Sequence, residues 1–246
     1  MLHNTKGIVL RTVKYGETSV IVSMYTELFG IQSYLINGVR KSSKKSSGSA
    51  AAFQRGALLE LVVYHNELKQ LQRIKEFQWN YLYEHIFFDV KKNAVSLYMV
   101  ELLQKSFKQP EKNEELYYFI EDAFIHLDKA DEAVVANFPL YFALHLTVFF
   151  GFRIEVNLQP DENRILDLEE GVFTSAYPKH PHYIEGILAE TTSQLLKTMQ
   201  PDELRQIRLN QTTRRQLLQA FEDFYALHLP DFGRLKSLPV LQELLS

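Results

Sequence analysis

The chain contains no cysteine. Disulfides and thiolate metal centres are therefore excluded, and the composition fits a reducing compartment. Glycine is sparse, with 10 in 246 residues, and none stands in a G-x-x-x-x-G-K or G-x-G-x-x-G pattern, so the usual phosphate-cradling loops are missing. No G-x-S-x-G elbow occurs, and without cysteine only Ser, Thr or Lys could serve as a nucleophile. No apolar run approaches the ~20 residues of a membrane span. The densest, Phe138 to Phe152, is interrupted by Pro139, His145 and Gly151. The opening MLHNTKGIVL lacks a charged start leading into an apolar core, so no signal peptide is expected and the expected compartment is the cytoplasm.

What is present is unevenly placed. Net charge is −3, but residues 1–79 hold eleven Lys/Arg against five Asp/Glu, a balance of +6, which leaves −9 for the remainder. A basic first third on an acidic body suggests a module that faces a polyanion. The same first third alternates with period two. GIVLRTV, SVIVSMYT, GIQSYLINGV, GALLELVVY and LKQLQRIKEF read as five short strands, separated by turns at YGET, Phe29-Gly30 and HNEL. Five strands in this length predict a small closed barrel, since a sandwich needs about seven. Its one long connection runs from about Gly38 to Arg55.

After Trp79 the period becomes helical. One helix is expected from Leu82 through VSLYMVELLQKSF, a second from Asn113 as N-cap, and a third from Glu132 to Phe150. EGILAETTSQLLKTM, TTRRQLLQAFEDFYALHL and SLPVLQELL follow as helices. Residues 152–185 show no clear period and read as an irregular insert, with a hairpin at LDLEEGVFT. The expected fold is thus multidomain α and β: a five-stranded β-barrel over residues 1–79, then an all-α helical domain over 80–246 carrying the insert.

Little of this looks catalytic. His180 and His182 in KHPHY could complete a metal site with Asp161, Asp167 or Glu185, which would suit a hydrolase, but two loop histidines is the plainer reading. His145 on an apolar helix face reads as a core residue. Glu114-Glu115 and Glu169-Glu170 are adjacent and so do not share a face. The stretch that stands out is VRKSSKKSSGSA at 39–50, where Arg40, Lys41, Lys44 and Lys45 sit among serines with no acid. Such a stretch can be a flexible linker. Beside a barrel whose second and third strands would form a groove for single-stranded nucleic acid, it reads better as a phosphate contact. Tyr15, Tyr25, Phe29, Tyr34 and Phe53 are candidate base-stacking platforms.

These residues resemble the bacterial RecO family of recombination mediators. The resemblance lies in the opening I-V-L-R strand, the Gly-Glu turn, a strand ending in T-x-x-x-G and the G-x-R-K-x-x-K loop, within GIVLRTVKYGETSVIVSMYTELFGIQSYLINGVRKSSKK. At the other end FYALHLPDFGRLKSLPVLQELL is similar to the family's closing helix-loop-helix. The resemblance implies an N-terminal OB-fold and a helical C-terminal domain. It also implies a non-enzymatic function: binding single- and double-stranded DNA, annealing complementary strands, and working with RecR and RecF. Such proteins help to load RecA onto DNA coated by the single-stranded-DNA-binding protein, whose acidic C-terminal tail docks on the helical domain. Nucleoid association would follow. Many members carry a four-cysteine zinc module where this chain has its insert, and without cysteine that site cannot form, so the insert is expected to be zinc-less. Arg40, Lys41, Lys44 and Lys45 match the family's basic loop. Arg11, Lys14, Lys69 and Arg73 join them as DNA-contact candidates on charge alone. Arg153, Arg205, Arg208, Arg214 and Arg215 are candidates for the acidic tail, and no cofactor is implied. The competing reading is a DNA-independent protein–protein adaptor.

Overall fold

The computed structural model describes residues 1–39, 51–107, 111–155 and 165–245. The chain divides into two compact units, residues 1–84 with 107–128, and residues 85–106 with 129–246.

The first unit is a closed barrel of five strands: β1 (Leu2–Tyr15), β2 (Ser19–Thr26), β3 (Gly30–Ile36), β4 (Leu58–Tyr64) and β5 (Leu71–Tyr81), in the order β1-β2-β3-β5-β4. All pairs are antiparallel except β3 with β5. β1 is long enough to pair with both β4 and β2 because it is bulged between Val9 and Arg11. A bulge adds one residue and bends the strand, which lets one strand serve two sides of a closed sheet. The inward set, Val9, Val22, Met24, Tyr34, Leu59, Leu61 and Val63, is almost wholly buried. Gly7 completes it by absence. A Cβ there would lie 2.9 Å from Leu61 Cδ1 and 3.0 Å from Met24 Cε.

Helix α2 (Glu114–Lys129) belongs mainly with this barrel and not with the later helices. Asn113 Oδ1 accepts from Leu116 N at 2.9 Å and caps the helix, while its carbonyl accepts from Tyr25 Oη at 3.0 Å. Buried Glu121 accepts from Lys6 Nζ at 3.1 Å and Asn80 Nδ2 at 2.5 Å, and buried Asp128 accepts from Glu84 N at 2.9 Å. The expected boundary near residue 80 therefore becomes a discontinuous one: β5 runs to Tyr81, and the chain returns to the barrel at 107.

The second unit holds α1 (Val90–Ser106), α3 (Glu132–Leu146), α4 (Ile187–Lys197), α5 (Gln211–His228) and α6 (Ser237–Leu244). It also holds a small antiparallel sheet of β6 (Ile165–Asp167), β7 (Val172–Thr174) and β8 (Tyr183–Glu185), ordered β7-β6-β8. The expected hairpin at LDLEEGVFT is β6–β7. The first helix starts at Val90 and not at Leu82, because Asp89 Oδ1 accepts from Lys92 N at 2.9 Å and fixes the helix start there. α3 is capped by Asp131, whose Oδ1 accepts from Val134 N, and a 3-10 turn to Phe150 ends at Gly151 with φ 78°. Pro139 and His145 interrupt the apolar run but not the helix, as the expected span from Glu132 to Phe150 requires, and both lie inside α3. Glu132–Phe150 is consequently 19 residues whose most apolar 18 have a mean hydropathy of 1.7, enough by length and composition to cross a membrane. Two observations mark it as the core helix of this unit: 67% of that stretch is buried, and apolar side chains line it all round.

Candidate nucleic-acid interface

The bulge at Leu10 decides what the barrel presents outward. Beyond it β1, β2, β3 and β5 align in rows. One row is Arg11, Ser23, Ser33 and Leu71. The next outward row is Val13, Ile21, Leu35 and Arg73, and at the end of the strands Tyr15 faces Ser19. Period-two alternation puts Val20, Val22, Met24, Tyr34 and Ile36 inside and leaves these rows on the surface. Val13, Tyr15 and Leu71 are 43%, 53% and 37% exposed. Hydroxyl and aliphatic side chains thus fill the middle, with Arg11 on one margin and Arg73 and Lys69 on the other, while Lys14, exposed at the end of β1, shares its row with the inward Val20 and Ile36.

Local hydrogen bonding positions those cations. Thr12 Oγ1 donates to Phe53 O at 2.7 Å, and the β1 bulge is clamped by Val9 N to Ala57 O and Gly56 N to Val9 O. Lys69 sits on a turn bracketed from within by buried Gln72. Its Nε2 donates to the Asn66 and Lys69 carbonyls, and its Oε1 accepts from Asn66 N. Leu68 N donates to Asn66 Oδ1, completing an Asx turn. Gln72 was invisible as a turn organiser in the sequence because its polar pattern matched that of its solvent-facing neighbours. None of Arg11, Lys14, Lys69 or Arg73 forms an ion pair with another described residue.

Arg40, Lys41, Lys44 and Lys45 lie outside the described residues. The points where their segment leaves and rejoins the described chain do border the face. Asn37 Oδ1 accepts from Ser19 Oγ at 3.0 Å at one end, and Phe53 is tied to Thr12 at the other. Of the candidate stacking platforms, Tyr15 is at the surface. Tyr25, Tyr34 and Phe53 are buried, and Phe29 stacks on His65 with ring centroids 3.8 Å apart. Burial pushes the Tyr25 hydroxyl up to about 12 and the Tyr34 hydroxyl further still.

The other side of the barrel has the opposite sign. Glu27, Glu60 and Glu76 line a groove of about 590 Å³ with Asn4, Lys6 and Gln78, and Lys6 is committed to Glu121.

In the helical unit the five candidate arginines stand in different settings. Arg153 and Arg208 are exposed. Arg205 pairs with Asp131 at 3.1 Å and Asp202 at 3.4 Å. Arg214 is half-buried and donates to Asn137 Oδ1, Leu245 O and Leu209 O; burial lowers its pKa from the ordinary arginine value. Arg215 donates to Gln242 O at 3.1 Å. An exposed apolar groove of about 430 Å³ lies elsewhere on the unit, lined by Phe87, Phe88, Val90, Leu97, Val240 and Leu244.

Among the described residues of the insert, the side chains do not gather a zinc ligand set. The two nitrogens of His180 face different carboxylates, Nε2 to Asp167 at 3.3 Å and Nδ1 to Glu169 at 3.5 Å, while His182 reaches Glu169 at 3.8 Å. The donors do not converge, and no group of three His, Asp or Glu suited to a metal occurs among the described residues. Asp161 lies outside them. The three short strands are held instead by Ile165, Leu166, Leu168, Phe173 and Ile184, all buried.

Two family models cover the chain in sequence order, so the barrel's returning segment at 107–128 falls within the second. Residues 1–83 match the family model described as "Recombination protein O N terminal" and residues 88–239 that described as "Recombination protein O C terminal". The chain is 33% identical over 244 residues to a DNA repair protein RecO of Christiangramia forsetii, covering 99% of both chains. It is 35% identical over 245 residues to one of Bacteroides fragilis, again covering 99% of both. To one of Phocaeicola vulgatus it is 31% identical over 246 residues, covering 100% of both.

Proposed function

The chain belongs to the RecO family of DNA repair proteins, and from that membership we propose that it is a DNA-binding recombination mediator and not an enzyme. Its role in DNA repair by recombination comes with the family; the particular activities are our reading. The barrel holds single- and double-stranded DNA chiefly through phosphates. By neutralising two strands at once it lowers their mutual repulsion and lets complementary strands anneal. With RecR, and with RecF, it helps to load RecA onto DNA coated by the single-stranded-DNA-binding protein. The acidic tail of that coating protein is taken by the helical unit, for which Arg153, Arg205, Arg208, Arg214 and Arg215 remain the candidates. A DNA repair role puts the protein in the cytoplasm with the nucleoid.

The observation that carries this reading is the face of β1, β2, β3 and β5. Its cations have no ionic partner among the described residues, its centre is hydroxyl and aliphatic, and no acidic residue stands in its rows. Flexible cations at the margins suit phosphates, and apolar side chains with Tyr15 suit unstacked bases. The test is fluorescence anisotropy of a labelled oligonucleotide over a salt series. Three proteins are compared: wild type, Arg11/Lys14/Lys69/Arg73→Ala and Arg40/Lys41/Lys44/Lys45→Ala. Wild type should bind with a steep negative salt slope, and each variant should lose about one unit of slope per phosphate contact removed. Slopes alike in all three would refute the assignment.

A DNA-independent adaptor is the second reading, favoured by the apolar groove where Phe88, Val90 and Val240 are 82%, 66% and 54% exposed. It predicts weak, salt-indifferent DNA binding in every variant.

A further inference from the structure

β3 ends at Ile36, and the chain turns away through Asn37 and Gly38, the one Asn-Gly pair in the sequence. Asn37 is exposed, and its Oδ1 accepts from Ser19 Oγ at 3.0 Å. Gly38 stands at φ 76°, and it has no Cβ to shield its amide nitrogen from the preceding side chain. Ser19 pairs with Tyr15, and the adjacent row is Lys14, Val20 and Ile36. Asn37 therefore sits at the rim of the basic face, one row from Lys14.

From this juxtaposition we infer that Asn37 is a site of spontaneous deamidation that turns a neutral position on the rim of the DNA face into an anion. The consequence for DNA rests on the function proposed above; the chemistry does not. The Gly38 amide gives up its proton to base, and its nitrogen attacks Cγ of Asn37. As the N–Cγ bond forms, negative charge gathers on Oδ1. The Ser19 hydroxyl already donates to that oxygen and stabilises the charge. Collapse breaks the Cγ–Nδ2 bond, and the nitrogen leaves as ammonia with a proton from water. Water then opens the five-membered imide at either carbonyl, giving aspartate or isoaspartate. One water is consumed and one ammonia released, with no change of oxidation state. The new carboxylate adds a negative charge at this rim and repels phosphate, most strongly at low salt where screening is weak.

The experiment ages the full chain at mildly alkaline pH and growth temperature, beside a free peptide of the sequence around Asn37. The tryptic peptide is followed by mass and by isoaspartate content, and oligonucleotide affinity is read at each time point. The Asn37 peptide should gain the mass difference between amide and acid, more slowly in Ser19→Ala. Wild type should lose affinity on the same time course and Asn37→Gln should keep it. Asn37→Asp should bind severalfold more weakly from the start, with the difference closing at high salt. An Asn37 that stays intact in the protein while the free peptide converts overturns the site. An Asn37→Asp protein that binds as wild type does overturns its consequence. If fresh wild type binds no DNA, the proposed function fails and the consequence with it, while the peptide masses still decide the chemistry.

Discussion

At the scale of the residue, single contacts carry distinct consequences. Gly7 is a packing requirement in the barrel wall, since a methyl there meets Leu61 and Met24 at 2.9 and 3.0 Å. Gly7→Ala should cost about 1–3 kcal/mol by overpacking, read as a lower denaturant midpoint with an unchanged m-value. Glu101 does a different job in the helical unit. It accepts from Lys236 N, Ser237 N and Ser237 Oγ, at 2.9, 2.7 and 2.5 Å, and so caps α6 from a distant helix. Burial pushes its pKa up, but Ser237 and the two amides, with Lys105, hold it below the usual carboxylate value. Glu101→Gln should destabilise by about 1–3 kcal/mol, because charge-assisted bonds become neutral ones. The KS of LKSLPVLQELL thereby has a structural use that no sequence pattern announces: it is the capped end of the last helix.

At the scale of the element, the face proposed for DNA is made by one strand that changes partners. β1 pairs with β4 before the bulge and continues on β2 after it, so Lys6 falls on the acidic side and Arg11 on the basic one. Tyr15→Ala should weaken binding to single strands by about 1–3 kcal/mol while sparing duplex, since only an unstacked base can lie on the ring. Equal losses on both substrates would refute the stacking role. This scale also shows what could be read in advance. Five strands, the helical tail and the hairpin of the insert were legible because period two and period 3.6 are strong signals over six or more residues. The start of α1 was not, because Leu82 and Ile86 continue the helical spacing although Asp89 caps the helix at Val90. The membership of α2 was not, because it depends on Glu121, Asn80, Lys6 and Tyr25, which are far apart in sequence. Among the stacking candidates, alternation alone could not separate Tyr15 from Tyr25: both fall on the outward parity, yet Tyr25 is covered by Phe107 and Tyr117.

At the scale of the whole molecule, charge is arranged by face as well as by domain. Two histidines contribute to the response to pH. His65 is held below its ordinary value by burial, then by His3 and the N-terminal ammonium against Glu67. His145 is held down by burial against the Leu195 and Thr198 carbonyls. Both are harder to protonate in the fold than in the unfolded chain, where they take a proton near 6.5. The unfolded state then binds more protons, so their contribution is fully present above that pH and falls away below it. The lowered pKa of Glu101 adds a second loss at lower pH, as the solution falls through its folded value. Denaturant midpoints should therefore be lower at pH 5.5 than at pH 7.5, and His65→Gln and His145→Gln should each flatten the difference.

The most direct test of the central claim is photo-crosslinking of a single-stranded oligonucleotide bearing photoreactive bases, followed by mass mapping of the adducts. The face assigned to DNA predicts adducts on Tyr15 and the β1, β2 and β3 segments that carry Arg11, Ser23 and Leu35. Adducts confined to the acidic side, at Asn4, Val62 or Gln78, or to the helical unit, would contradict it.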